Sequence, residues 1–78
     1  MNLLDASLMS AHEVVQNMTL DMPAAVLKAA LRRADVRAEL PRWMFASYQK
    51  CWTNKFRRAG YKVRFMGGKV VGVKYERS

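Results

Sequence analysis

Between Pro41 and Gly60 the large apolar side chains recur at the spacing of one helix face. Phe45, Tyr48, Trp52, Phe56 and Ala59 follow one another at +3, +4, +4 and +3. At roughly 100° per residue they fall within an arc of about 80°. Proline suits the first turn of a helix, and glycine suits the position just past its end. The spacing therefore predicts one helix over 41–59. Tyr48, Trp52 and Phe56 are its largest apolar residues, so this face is expected at the centre of the core. The opposite side carries Arg42, Trp43, Lys50, Thr53, Asn54 and Arg57, with Arg58 at its edge.

The residues that follow change period. Tyr61 to Met66 alternates apolar and basic, as a half-buried strand does. Gly67-Gly68 marks a turn, and a second apolar run leads to Tyr75. Register decides which faces meet. A two-residue loop would pair Phe65 with Val70 and Val63 with Gly72. A three-residue loop, Gly67-Gly68-Lys69, pairs Phe65 with Val71, Val63 with Val73 and Tyr61 with Tyr75. It puts all six on one face and Lys62, Arg64 and Lys74 on the other. The three-residue loop is the expected one.

Two further helices precede position 41. Leu4, Leu8, Ala11, Val15 and Met18 are spaced for one helix face, while Ser10 and Glu13 fit a capping box. The first helix thus begins near residue 4 or restarts at 10. Thr19-Leu20 is a connector with room for a short strand. Asp21 is an N-cap candidate with Pro23 in the first turn of the second helix. Val26, Leu27, Ala30, Leu31 and Ala34 form its apolar face, and Arg32 and Arg33 suit its C-terminal dipole. Asp35 to Leu40 reads as a loop. Met9, Met18 and Met22 are expected to fill core gaps, with Met44 and Met66 exposed.

With 78 residues there is room for one domain and one core. Hydrophobic residues at 51% and charged residues at 26% exclude a disordered chain. One cysteine excludes an internal disulfide. With one histidine it builds no zinc site, so no metal and no cofactor is expected. Cys51 is expected as a small core residue. No basic n-region, long apolar run or P-loop is present, and no nucleophile–base pair or paired carboxylates. The expectation is a reduced, cytoplasmic protein that is not an enzyme and does not meet a membrane.

Charge is distributed unevenly. Residues 1–27 hold no Lys or Arg and three acids, a net −3. Residues 28–78 hold all fourteen basic residues against three acids, so 14 − 3 = +11. Such a balance points towards a polyanion partner.

The predicted order is three helices followed by a two-stranded hairpin, an α+β domain over 1–78 with residues 1–9 as a flexible or partner-binding arm. Over residues 8–76 this order and charge placement resemble a winged helix. The run Phe56-Arg-Arg-Ala-Gly-Tyr61 into Gly67-Gly-Lys69-Val-Val-Gly72 resembles the winged-helix tails of some phage and plasmid replication proteins. The resemblance implies a small DNA-binding regulator or accessory factor. Helix 41–59 would lie in the major groove, and hairpin 61–75 on the backbone or in the minor groove.

The residues support the same chemistry. Arginine pairs bidentately with guanine and asparagine with adenine, so Arg42, Asn54 and Arg57 are the base-contact candidates. Lys50, Thr53, Arg58, Lys62, Arg64, Lys69 and Lys74 are the backbone or minor-groove candidates. Trp43 is a stacking candidate, or it packs under the N-terminal helix. Double-stranded DNA is the expected partner. Two alternatives stay open. One is a protein-interaction module or inhibitor, docking or dimerising through the N-terminal segment. The other is RNA binding.

Overall fold

The computed structural model describes residues 3–45 and 47–76. Five α-helices occur among them, where the sequence predicts three: α1 (Leu3–Leu8), α2 (Ala11–Gln16), α3 (Ala24–Leu31), α4 (Ala34–Glu39) and α5 (Gln49–Arg58). A 3₁₀ turn spans Leu40–Arg42 between α4 and α5. Strands β1 (Tyr61–Met66) and β2 (Lys69–Tyr75) close the chain as an antiparallel hairpin. The architecture is α+β, as expected.

The first predicted helix is two. Ser10 restarts it: its Oγ accepts from the Glu13 N–H at 3.2 Å, and its hydroxyl donates to the Glu13 carboxylate at 3.0 Å. That cap satisfies a backbone donor that would otherwise be unpaired. The break turns Leu8 outward, 77% exposed, while Val15 and Met18 stay buried. Of the expected 1–9 arm, residues 1 and 2 lie outside the described residues, and part of the rest packs against the body. Ala6 is buried, and Arg33 Nη1 donates to the carbonyls of Ala6 and Met9 at 2.7 and 2.6 Å.

Arg33 acts as an external cap on the end of α1. Its Nε and Nη2 also hold both oxygens of Asp35, at 3.1 and 2.8 Å. This contact keeps the Asp35 carboxyl below its ordinary 3.8. Because that pKa is lowered, the clamp is complete above the usual carboxylate range. It is lost as pH falls through the lowered value. Arg33→Ala is expected to cost about 2 kcal/mol, the scale of hydrogen bonds to a charged group. A urea titration at neutral pH checks this, and the deficit should shrink when Asp35 is protonated.

Three expectations for the middle of the chain are corrected. Asp21 is not the N-cap of α3; Pro23 holds that place, and Thr19 hydrogen-bonds Asp21 instead. The connector before α3 contains no strand. Asp35 to Leu40 is not a loop but α4 and the start of the 3₁₀ turn, because Val36 and Leu40, four residues apart, are both fully buried. Ala34 starts α4 and is exposed rather than on the α3 face, where Val26, Leu27, Ala30 and Leu31 are buried.

The predicted 41–59 helix is the largest correction. Only Gln49–Arg58 is α-helical. Before it Trp43 is extended, and Met44 forms a bridge with Lys69 of β2. The Phe45 N–H bonds to the Gly68 carbonyl, which replaces the helical bond that position would have made. Tyr48, with φ +62°, begins α5 from the left-handed region and is exposed. Trp52, Phe56 and Ala59 remain the buried face. Phe45 joins them from outside the helix, with its ring 5.5 Å from Trp52 and 6.2 Å from Phe65.

The hairpin combines both candidate registers. Tyr61 pairs with Tyr75 and Val63 with Val73, as the three-residue loop requires. Nearer the tip Phe65 pairs with Val70 and Met66 with Lys69, around the two-residue turn Gly67-Gly68. The register shift between Arg64 and Phe65 accommodates one extra residue, Val71. Both turn glycines have positive φ, +60° and +82°, as a tight hairpin turn of this hand demands. Val70 is therefore the inward residue, and Val71 faces out. Tyr61, Val63 and Val70 are buried, with Phe65 and Val73 packed beside them.

Candidate nucleic-acid interface

Three groups emerge from the predicted site residues. The first lies on α5. With Trp52 and Phe56 turned to the core, Lys50, Asn54, Arg57 and Arg58 are exposed on the other side. Thr53 is half-buried, and its hydroxyl donates to the Gln49 carbonyl at 2.9 Å, so it is engaged within the helix. Cys51 is corrected from core to surface: it lies roughly 100° from Trp52 on the wheel and is exposed. Lys55 leaves this face, its ammonium donating to the Met22 carbonyl.

The second group is the outer face of the hairpin. Lys62, Arg64, Lys69 and Lys74 are all exposed there. Lys62 is directly opposite Lys74 across the ladder, and Arg64 is opposite Gly72. A Cβ placed on Gly72 would meet nothing within 4 Å. The bare backbone beside Arg64 is therefore open to close approach, one of the uses of glycine inside a strand.

These two groups are not one flat surface. α5 and the hairpin each turn their buried faces to the same core, so their exposed faces point in different directions. They meet at the base of the hairpin. A cleft of about 320 Å³ is lined by Lys28, Arg57, Arg58, Gly60, Tyr75 and Glu76. A second, of about 260 Å³, is lined by Lys62, Lys74, Tyr75 and Glu76. Tyr75 and Glu76 are shared, so the basic surface turns the corner around them. Lys28 and Tyr75 are not among the site residues expected from the sequence. Lys28 is isolated among apolar residues there, and Tyr75 reads as an inward strand residue although it is 54% exposed.

The third group leaves the interface. Arg42 and Trp43 are not on α5 but in a separate cleft of about 250 Å³ with His12 and Glu39. Trp43 packs against His12, ring centroids 5.2 Å apart, and its indole N–H is buried without a hydrogen-bond partner. It is thus packed under α2, the second of its two sequence readings. Arg42 is exposed, 3.8 Å from Glu39. Of the three base-contact candidates, Asn54 and Arg57 lie on α5 and Arg42 does not.

Among the described residues, none of Lys28, Lys50, Arg57, Arg58, Lys62, Arg64, Lys69 and Lys74 is in an ion pair; the pairs present are Arg33–Asp35, Arg42–Glu39 and His12–Glu39. No group of three His, Cys, Asp or Glu among them is placed to hold a metal ion. No described helix is long and apolar enough to cross a membrane. Compared with known protein families, curated proteins and solved structures, the chain matches none.

Proposed function

We propose that this protein binds double-stranded DNA with α5 and the hairpin acting as a helix-and-wing unit of the winged-helix kind. Nine residues, 40–48, separate α4 from α5, so the unit has no tight helix-turn-helix. What supports the reading is the α5-to-hairpin step, made across Ala59 and Gly60 alone. The observation that carries it is the Lys62–Lys74 pair. Like charges directly opposite in a ladder destabilise a hairpin. These two sit among further unpaired cations with Glu76 as the one neighbouring acid. A surface built at that cost is compensated by a polyanion.

In this reading Asn54 and Arg57 meet base edges, while Lys50, Arg58, Lys62, Arg64, Lys69, Lys74 and Lys28 meet phosphates. Phosphate contacts set position, and base contacts set sequence. Fluorescence anisotropy with random duplex DNA, single-stranded DNA and double-stranded RNA at about 50 mM salt tests this. Duplex DNA should bind tightest. Equal or tighter binding of RNA, or no binding of any, would defeat the proposal. Asn54→Ala and Arg57→Ala should flatten sequence preference in a site selection.

Gly72 supplies a second check. Gly72→Thr adds a strand-favouring side chain in open space, and should stabilise the domain by about 0.5 kcal/mol. The same side chain should weaken duplex binding several-fold if a phosphate backbone lies against the strand. Thermal melting and anisotropy on one sample separate the two effects.

A further inference from the structure

The hairpin face changes character towards its tip. Lys62, Lys74 and Arg64 occupy its base and middle. At the tip stand Met44, Met66 and Val71, exposed by 59%, 71% and 53%. Lys69 lies between the two methionines, paired with Met66 on one side and bridged to Met44 on the other. Directly opposed residues share a face, so all three point outward together. The tip is also held firmly. The Phe45 N–H bonds to Gly68, and Phe45 packs on Trp52 and Phe65.

Exposed apolar side chains gathered at one end of a small protein mark a surface that something covers. Here the surroundings identify it. The neighbouring charges on the face are Lys69, Arg64, Lys62 and Lys74, and the one acid near them, Glu76, lies at the base of the hairpin beside Lys62 and Lys74. A protein partner would have to answer that with an acidic rim around an apolar centre. Duplex DNA offers both in one object: phosphates along the edges and apolar base stacks between them.

We infer that the hairpin tip is an apolar wedge, in which Met66, with Met44 on the far side of Lys69, enters the minor groove and opens a base step, bending the duplex. This rests on the DNA-binding reading and adds a mode of action to it. Methionine is unbranched and soft, and it is among the side chains that unstack base steps from the minor groove. Width favours deformation over passive fit. Three adjacent strand positions span about 10 Å at roughly 4.8 Å per strand. The undistorted minor groove is only about 6 Å wide. The groove must therefore open, and flexible pyrimidine–purine steps open most easily. Arg64, further along the strand, would then hold a flanking phosphate, while Lys69 extends from between the methionines.

The test uses the full chain and a duplex of about 24 base pairs carrying one central TA step and a fluorophore at each end. Energy transfer between the ends reports bending, and 2-aminopurine at the step reports unstacking. The wild type should raise both signals. A duplex with an A-tract in place of the TA step should bind several-fold more weakly. Met44→Ala/Met66→Ala should keep binding within a few-fold while losing both signals; both side chains are exposed, and circular dichroism verifies the fold. Binding with no change in either signal would overturn the wedge and leave DNA binding standing. So would a double variant that bends DNA like the wild type. No binding of the wild type at 50 mM salt would remove both proposals together. Loss of self-association in the double variant, with unchanged DNA shape, would assign the patch to a second copy of the chain instead.

Discussion

Replacing Lys62 and Lys74 together with glutamine should weaken duplex DNA binding by about two orders of magnitude at 50 mM salt while leaving the domain slightly more stable. Each phosphate contact contributes about 0.9 to the slope of log affinity against log salt. Between 50 mM and 1 M that amounts to roughly 1.2 decades per contact, and hence a little over two decades for a pair. The slope itself should become shallower by about 1.8. Stability should move the other way, because the substitution removes a direct cross-strand repulsion, worth about 0.2–1 kcal/mol. The opposed signs carry the information. A merely structural lysine pair would lose stability and binding together. A solvated surface with no partner would gain stability and show no binding to lose. Anisotropy across four salt concentrations and a urea titration give both numbers.

Phe56→Ala should be the most damaging single substitution. Phe56 is 1% exposed and meets Trp52 edge-on at 6.2 Å. It belongs to the cluster that joins α5 to α3 and to the inner face of the hairpin. Truncating a buried phenylalanine costs about 3–5 kcal/mol, part transfer and part cavity. A chain of this length has roughly 4–12 kcal/mol in total. The variant should therefore melt at least about 12 °C lower or fail to fold cooperatively, since about 1 kcal/mol moves a small domain by roughly 4–8 °C. A variant melting within a few degrees of the wild type would show that the core does not centre on this ring. Tyr48→Ala should be mild by comparison, although both residues belong to the same sequence stripe, because Tyr48 is 69% exposed.

That contrast shows where the sequence was legible. The hairpin's alternation, its glycine turn and the Gly60 stop were visible because each rests on local conformational demands. The placement of Met18 and Met22 inside and Met44 and Met66 outside followed from pattern alone. The stripe from Phe45 to Ala59 was misread because helical spacing is necessary for a helix but not sufficient. Phe45 reaches the same aromatic cluster from outside any helix, and its backbone donor is taken by Gly68, far along the chain. Nothing local in residues 43–48 announces that partner. α4 is a different case. Its signal, Val36 and Leu40 four apart with Ala34, Ala38 and Glu39 as helix formers, is present in the sequence, although the stretch reads as a loop. On the candidate site, the basic residues of α5 and the hairpin were legible by composition. Their division into two faces meeting at Tyr75 was not, because it depends on which side of each element the core claims.

The hairpin is fastened at both ends. At its base the Glu76 N–H bonds to the Gly60 carbonyl at 2.8 Å, and at its tip Gly68 accepts from Phe45. Many small proteins meet nucleic acid with an arm that must become ordered, which charges entropy against affinity. A ribbon tied down at both ends has no such step to make. Its encounter with a polyanion should be limited by diffusion and accelerated by charge. If the partner is duplex DNA, a slow phase in association would then not come from ordering of the hairpin.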